Sequence, residues 1–157
     1  MILLGVSLLV LALDQVTKFL VAQSFALNQS TTVIPGILNF TYIHNPGAAF
    51  GFMSDVEALV RIPFFVAVTV AAGFMVYAYH RLIPPEMKFS RISLGLIWGG
   101  AVGNFLDRIL YGKVIDFLEV KFIQFPVFNV ADSCISIGLT FLVVEYLLEK
   151  TMNRREA

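Results

Sequence analysis

The sequence predicts a mainly α-helical integral membrane protein: four transmembrane helices with a small β-sheet on the outer surface. Three observations predict this. Of the 157 residues, 58% are hydrophobic and 14% charged, against about 45–50% and 25% in an ordinary soluble domain. The apolar residues gather in four runs, each close to the roughly 20 residues a helix needs to cross the hydrocarbon core. Two of the connections between runs are rich in β-branched and aromatic residues, as strands are. The length fits one domain, 1–157. A formal net charge of zero with scattered basic residues argues against a nucleic-acid partner. The lone Cys134 cannot form an internal disulfide, and His44 and His80 lack zinc-ligand spacing.

The first span covers about 3–21. A cleaved signal peptide would need a basic leader and an uncharged apolar stretch. Here the chain begins almost directly in the span, which contains Asp14 and Lys18, so it reads as a retained helix. The connection 22–58 has no Lys or Arg and contains the strand-like "GILNFTYIHN" (36–45) and the turn-forming "NPGAAFG" (45–51). The second span is about 59–79, followed by a turn at "PPEMKFS" (84–90), and the third about 92–110. The connection 111–130 holds "KVIDFLEVKFIQF" (113–125), a second strand-like stretch, and the fourth span runs about 131–148. Arg81, Lys88 and Arg91 mark the middle loop, and Lys150, Arg154 and Arg155 the tail, as cytoplasmic. Both termini then face the cytoplasm, and the connections 22–58 and 111–130 face outward.

A charge near the middle of a membrane helix costs about 2.5–3.5 kcal/mol on insertion scales, so the depth of each polar residue is informative. Asp14 and Lys18 fall in the outer half of the first span. Asn104, Asp107 and Arg108 close the third on the outer side, and Asn129 and Asp132 open the fourth there. Asn45 and Asp116 lie in the outer connections. Segments far apart in sequence thus send polar groups to one depth on one side. Asp14 and Lys18 share a helix face and can pair. Gly100, Asn104 and Asp107 form a stripe with Arg108 above Asn104, and Gly99, Gly100 and Gly103 leave that helix bare for close approach by a helix or an extended peptide.

Each feature also has a plainer structural reading. Asp14 and Lys18 can be a stapling ion pair, the glycines packing, and Asp107 with Arg108 an interfacial pair. Asn129 and Asp132 can cap the fourth helix, one at the N-cap and the other at N3. "NPGAAFG" can be a simple turn. Glu145, alone on the cytoplasmic half, is expected to reach the interface. What favours chemistry is two carboxylates near one surface with no convincing nucleophile beside them. Asp116 and Asp132 can hold a water between them, one as base and one as acid, and hydrolyse a carbonyl without a covalent intermediate. Asp132, in a helix's first turn, suits the ionised role. Asp116, between Ile115 and Phe117, suits the proton carrier.

The blocks "DQVTK" (14–18), "NPGAAFG" (45–51), "GGAVGNFLDR" (99–108), "VIDF" (114–117) and "FNVADS" (128–133) resemble, in order, the motifs of the bacterial lipoprotein signal peptidases (signal peptidase II). The resemblance implies a metal-independent aspartic endopeptidase, with no cofactor, in the bacterial inner membrane. It implies a prolipoprotein substrate cut just before a diacylglyceryl-modified cysteine, and sensitivity to the cyclic peptide globomycin. Its catalytic pair falls on Asp116 and Asp132. Matching polar positions are Asp14, Asn45, Asn104, Arg108 and Asn129, with Gly100 and Ala131 lining the same place and Lys18 beside Asp14. Asn45, Asn104 and Arg108 are read as holding the substrate backbone, and Asp14 as positioning the site. Membrane lipid is an expected partner, and a monomer the expected state. The rival readings are a small polytopic transporter or channel, which would need polar residues through the full thickness, and a structural subunit binding a partner helix.

Overall fold

The computed structural model describes residues 1–156. The order is α1 (Ile2–Ser24), β1 (Ser30–Ile34), β2 (Leu38–Asn45), a single 3₁₀ turn at Ala49–Gly51, α2 (Ala58–Leu82), α3 (Lys88–Tyr111), β3 (Val114–Val120) and α4 (Val130–Glu156). All four expected spans lie inside helices. Three of them, Ile2–Ser24, Ala58–Leu82 and Val130–Leu148, are long and apolar enough to cross a membrane. The third expected span, 92–110, falls in α3, whose apolar content is diluted by buried Ser90, Ser93, Asn104, Asp107 and glycines. The side chains of Arg154 and Arg155, part of the expected cytoplasmic tail, lie outside the described residues.

Burial is inverted relative to a water-soluble bundle. Asp14, Lys18 and Asp107 are at most 2% exposed, whereas Leu8, Phe19, Phe74 and Leu147 are all more than half exposed. Apolar side chains outside and ions inside is the arrangement an apolar solvent selects, because no surrounding water can satisfy a charge. The helix α3 packs against α1, α2 and α4. Small residues bring the backbones together where lipid gives no hydrophobic drive to associate. A Cβ on Gly99 would stand 2.7 Å from the Ser7 carbonyl oxygen of α1, and one on Gly100 2.5 Å from the Ala131 carbonyl oxygen of α4.

The two strand-like stretches pair as β2 and β3, antiparallel, with Ile43 opposite Asp116 and Leu38 opposite Val120. The sequence reading did not anticipate β1, which pairs with the outer edge of β2. Its "STTVI" is short and wholly exposed, so it has no alternation to read; the turn before β2 and the open edge supply what its own pattern does not. One face of the sheet rests on α1 through the buried cluster of Val21, Tyr42 and Phe117, and this fixes Asp116 over the bundle's polar end. Glu145 does not simply reach out. It accepts a hydrogen bond from the buried Ser90 hydroxyl of α3, joining the far halves of α3 and α4.

Close approach at Gly99 makes a direct prediction. Gly99→Ala should lower stability in detergent micelles and Gly99→Val should lower it further, by about 1–3 kcal/mol as overpacked cores do, read from the thermal midpoint.

Candidate active site

Lys18 stands at the centre of the polar end. Its Nζ lies 2.8 Å from Asp14 Oδ2 on the next turn and 2.9 Å from Asp107 Oδ2 on α3, and donates to Asn104 Oδ1 at 2.9 Å. Three acceptors for three ammonium hydrogens leave none unmet. Each partner then reaches onward. Asp14 Oδ1 accepts the Ala131 N–H of α4 at 2.9 Å. Asp107 Oδ2 accepts the Ile115 N–H of β3 at 3.1 Å, and Gln15 Nε2 donates to Asp107 Oδ1 at 2.9 Å. Asp107 thus pairs with Lys18 and not, as an interfacial pair, with Arg108.

The fourth helix begins with a reciprocal cap. Asn129 Oδ1 accepts the Asp132 N–H at 2.9 Å, and Asp132 Oδ2 accepts the Asn129 N–H at 3.2 Å. The cap leaves the remaining polar atoms of both residues aimed at the site. Asn129 Nδ2 donates to Asp116 Oδ1 at 2.7 Å and to Asn104 Oδ1 at 3.1 Å. Asn104 Nδ2 donates to Asp132 Oδ1 at 2.7 Å, and Asn45 Nδ2 to Asp116 Oδ2 at 2.9 Å. Asp116 and Asp132 are therefore tied through the shared Asn129, each also held by a second amide. Capping and site-building are one arrangement.

Both carboxyls line a cavity of about 490 Å³, together with Asn45, Asn104 and Arg108. Its remaining walls include Ala48 and Ala49 of the 45–51 segment, Phe125–Phe128 before α4, and Ile135–Ile137 on α4. Ile137 is 46% exposed, so this wall reaches the molecule's apolar outer surface. Arg108 donates to the carbonyl oxygens of Asn104 at 3.2 Å and Gly47 at 3.0 Å. Gly100 abuts Ala131 behind the site. All ten residues singled out from sequence thus meet at one end of the bundle. The sequence reading missed Gln15, whose signal was its place between Asp14 and Lys18, and Arg61, a cation in the first turn of an apolar helix.

Burial pushes the Asp116 carboxyl up to about 6, the nearby Asp132 adding to the rise and the amides of Asn45 and Asn129 opposing it. The folded value lies above the ordinary one near 3.8. The fold therefore loses stability as pH rises through about 6, where Asp116 must ionise in place.

The signal peptidase (SPase) II family model matches residues 6–148. The chain belongs to the signal peptidase II family. Membership makes it a protease of the aspartic type. It is 48% identical over 142 residues to the lipoprotein signal peptidase of Syntrophus aciditrophicus, covering 88% of each chain. It is 41% identical over 150 residues to that of Moorella thermoacetica, covering 96% of this chain and 95% of the relative. A solved structure described as a bacterial membrane enzyme superposes with a TM-score of 0.84 at 32% identity, over 99% of this chain and 92% of the other. A second such structure gives 0.78 at 29%. The transporter reading finds no support in these relatives.

Two measurements follow. In carboxyl-labelled protein, Asp116 should titrate near 6 by NMR, and Asp132→Asn should move that value down, because one of the two raising influences is gone. Lys18→Met should leave two buried carboxylates facing each other and cost about 3–5 kcal/mol, as breaking a buried ion pair does, seen as a fall in thermal midpoint or in yield of folded protein.

Proposed function

We propose that this chain removes the signal peptide from diacylglyceryl-modified prolipoproteins, with Asp116 and Asp132 as the catalytic pair. The observation that carries the reading is the pair itself: two carboxyls bridged by Asn129 in one cavity, one of them with a carboxyl raised to about 6. A carboxyl that keeps its proton can act as the acid while its neighbour acts as the base. Water held between them attacks the scissile carbonyl carbon and gives its proton to Asp132, while the Asp116 proton passes to the carbonyl oxygen. The resulting gem-diol collapses as Asp132 returns its proton to the leaving amide nitrogen and Asp116 recovers one from the diol hydroxyl. Oxygen and protons balance, and both groups regain their starting forms.

In this reading all four helices cross the bacterial inner membrane, both termini lie in the cytoplasm, and the sheet lies on the outer face as part of one domain. The cavity wall at Ile135–Ile137 supports lateral entry: a signal helix and its acyl chains arrive from the bilayer without crossing water. Asn45, Asn104 and Arg108 hold the peptide backbone. Asp14 and Lys18 position the site, with Gly100 and Ala131 setting the spacing of α3 and α4. Globomycin competes for the same cavity, membrane lipid surrounds it, and the enzyme works as a monomer.

The test is cleavage of a diacylglyceryl-modified prolipoprotein by purified protein, followed by gel shift with a chelator present. Asp116→Asn and Asp132→Asn should each lower kcat by roughly 10²–10⁴, the usual worth of acid–base catalysis. The double variant should be little worse, because the two act as a unit. Near-normal cleavage by either single variant would remove that aspartate from the mechanism.

A further inference from the structure

The helix α2 contributes no residue to the cavity lining, yet its first turns hold three parts of the site. The Arg61 guanidinium donates to the carbonyl oxygens of Ser54 (3.3 Å) and Val56 (2.9 Å), at the far end of the segment that starts with Asn45. It also donates to the Gly112 carbonyl oxygen (3.4 Å), in the turn that leads into β3 and Asp116. Among the described residues Arg61 forms no ion pair, and the three hydrogen bonds of its Nη1 and Nη2 all go to backbone. One turn on, the buried Phe65 ring lies 4.1 Å beneath the Arg108 guanidinium. That guanidinium holds Gly47, the near end of the same segment. Phe64 packs on Phe52 within it.

The segment so held is strained. Phe50 and Met53 sit at φ 57° and 62°, left-handed backbone that bulky residues adopt only where their surroundings impose it. We propose that Arg61 and Phe65 are positioning residues of α2: they pin residues 46–57 at both ends, so that Asn45, Ala48 and Ala49 stand over the carboxyl pair before substrate arrives. The role rests on the peptidase reading, which supplies the substrate. Without the pins, binding must order the segment, and apparent affinity falls by the fraction of molecules already ordered. The chemical step, once substrate is seated, is unchanged.

The experiment uses full-length protein with Cys134→Ser and a nitroxide on Asp55→Cys, an exposed position between the two carbonyls Arg61 holds. Cleavage kinetics on the diacylglyceryl-modified prolipoprotein and thermal midpoints are measured on the same samples. Arg61→Met and Phe65→Leu should raise KM by about ten-fold with kcat within about two-fold. Arg61→Met should also sharpen the nitroxide spectrum, and Arg61→Lys should recover part of both effects, since an ammonium holds fewer carbonyls at once than a fork. Unchanged KM with an immobile label overturns the proposal. So does a fall in kcat and thermal midpoint shared equally by Arg61→Met and Arg61→Lys, which would make Arg61 a fold-holding residue. If the unsubstituted protein fails to cleave, the peptidase reading falls, and the nitroxide alone decides whether Arg61 orders the segment.

Discussion

One buried ammonium organises this molecule. Lys18 is 2% exposed in a surrounding that cannot solvate it, so its partners must be in place before the bundle is stable. Asp14 comes from its own helix and Asp107 with Asn104 from α3, which sets the rotation of one helix against the other. The second oxygen of Asp14 receives α4, and the Asp107 oxygen that meets Lys18 also receives β3, while the other end of the Asn104 amide meets Asp132. Every element that carries part of the proposed catalytic pair is thereby referenced to one cation that touches neither carboxyl directly.

The sheet contributes a different kind of control. Through Tyr42 and Phe117 it sits on the end of α1, with Asp116 near the middle of β3 in register with Ile43. Strand pairing fixes where Asp116 points, and the apolar contacts beneath it remove the water that would otherwise keep its carboxyl in the ordinary range. A helix and a strand therefore present two chemically identical side chains in unlike settings. Asp132 accepts the backbone N–H of Asn129 at a helix start, and Asp116 is shielded in a sheet. The asymmetry an acid–base pair needs comes from the backbone.

Much of this was legible beforehand because membrane burial makes polar residues conspicuous. Asp14, Lys18, Asn104, Asp107 and Asp132 stand out in apolar runs, and a topology argument is enough to bring them to one side. The reciprocal cap of Asn129 and Asp132 followed from spacing alone. Other features were not legible. The strand β1 owes its place to its neighbour β2, and Gln15 reads as an ordinary polar residue until Asp107 is seen beside it. Arg61 passes for a positive charge at a helix start; its work lies in three backbone carbonyls, which no sequence pattern marks. Asp107 stayed open for a related reason: adjacency to Arg108 in sequence offers an interfacial pair, whereas the partner it takes, Lys18, lies across the helix interface.

The contact between Asp14 and the first turn of α4 bears on biosynthesis. A chain leaves the ribosome N-terminus first, so α1 and α3 can pair around Lys18 while α4 is still being made. Asn129 and Asp132 travel with that last helix, and they reach their positions only when its leading N–H groups find the waiting carboxylate. The proposed cutting centre is thus assembled by the final insertion step. A nascent or truncated copy lacks it altogether, and the neighbouring proteins of a crowded membrane meet a protease only after its own synthesis has ended.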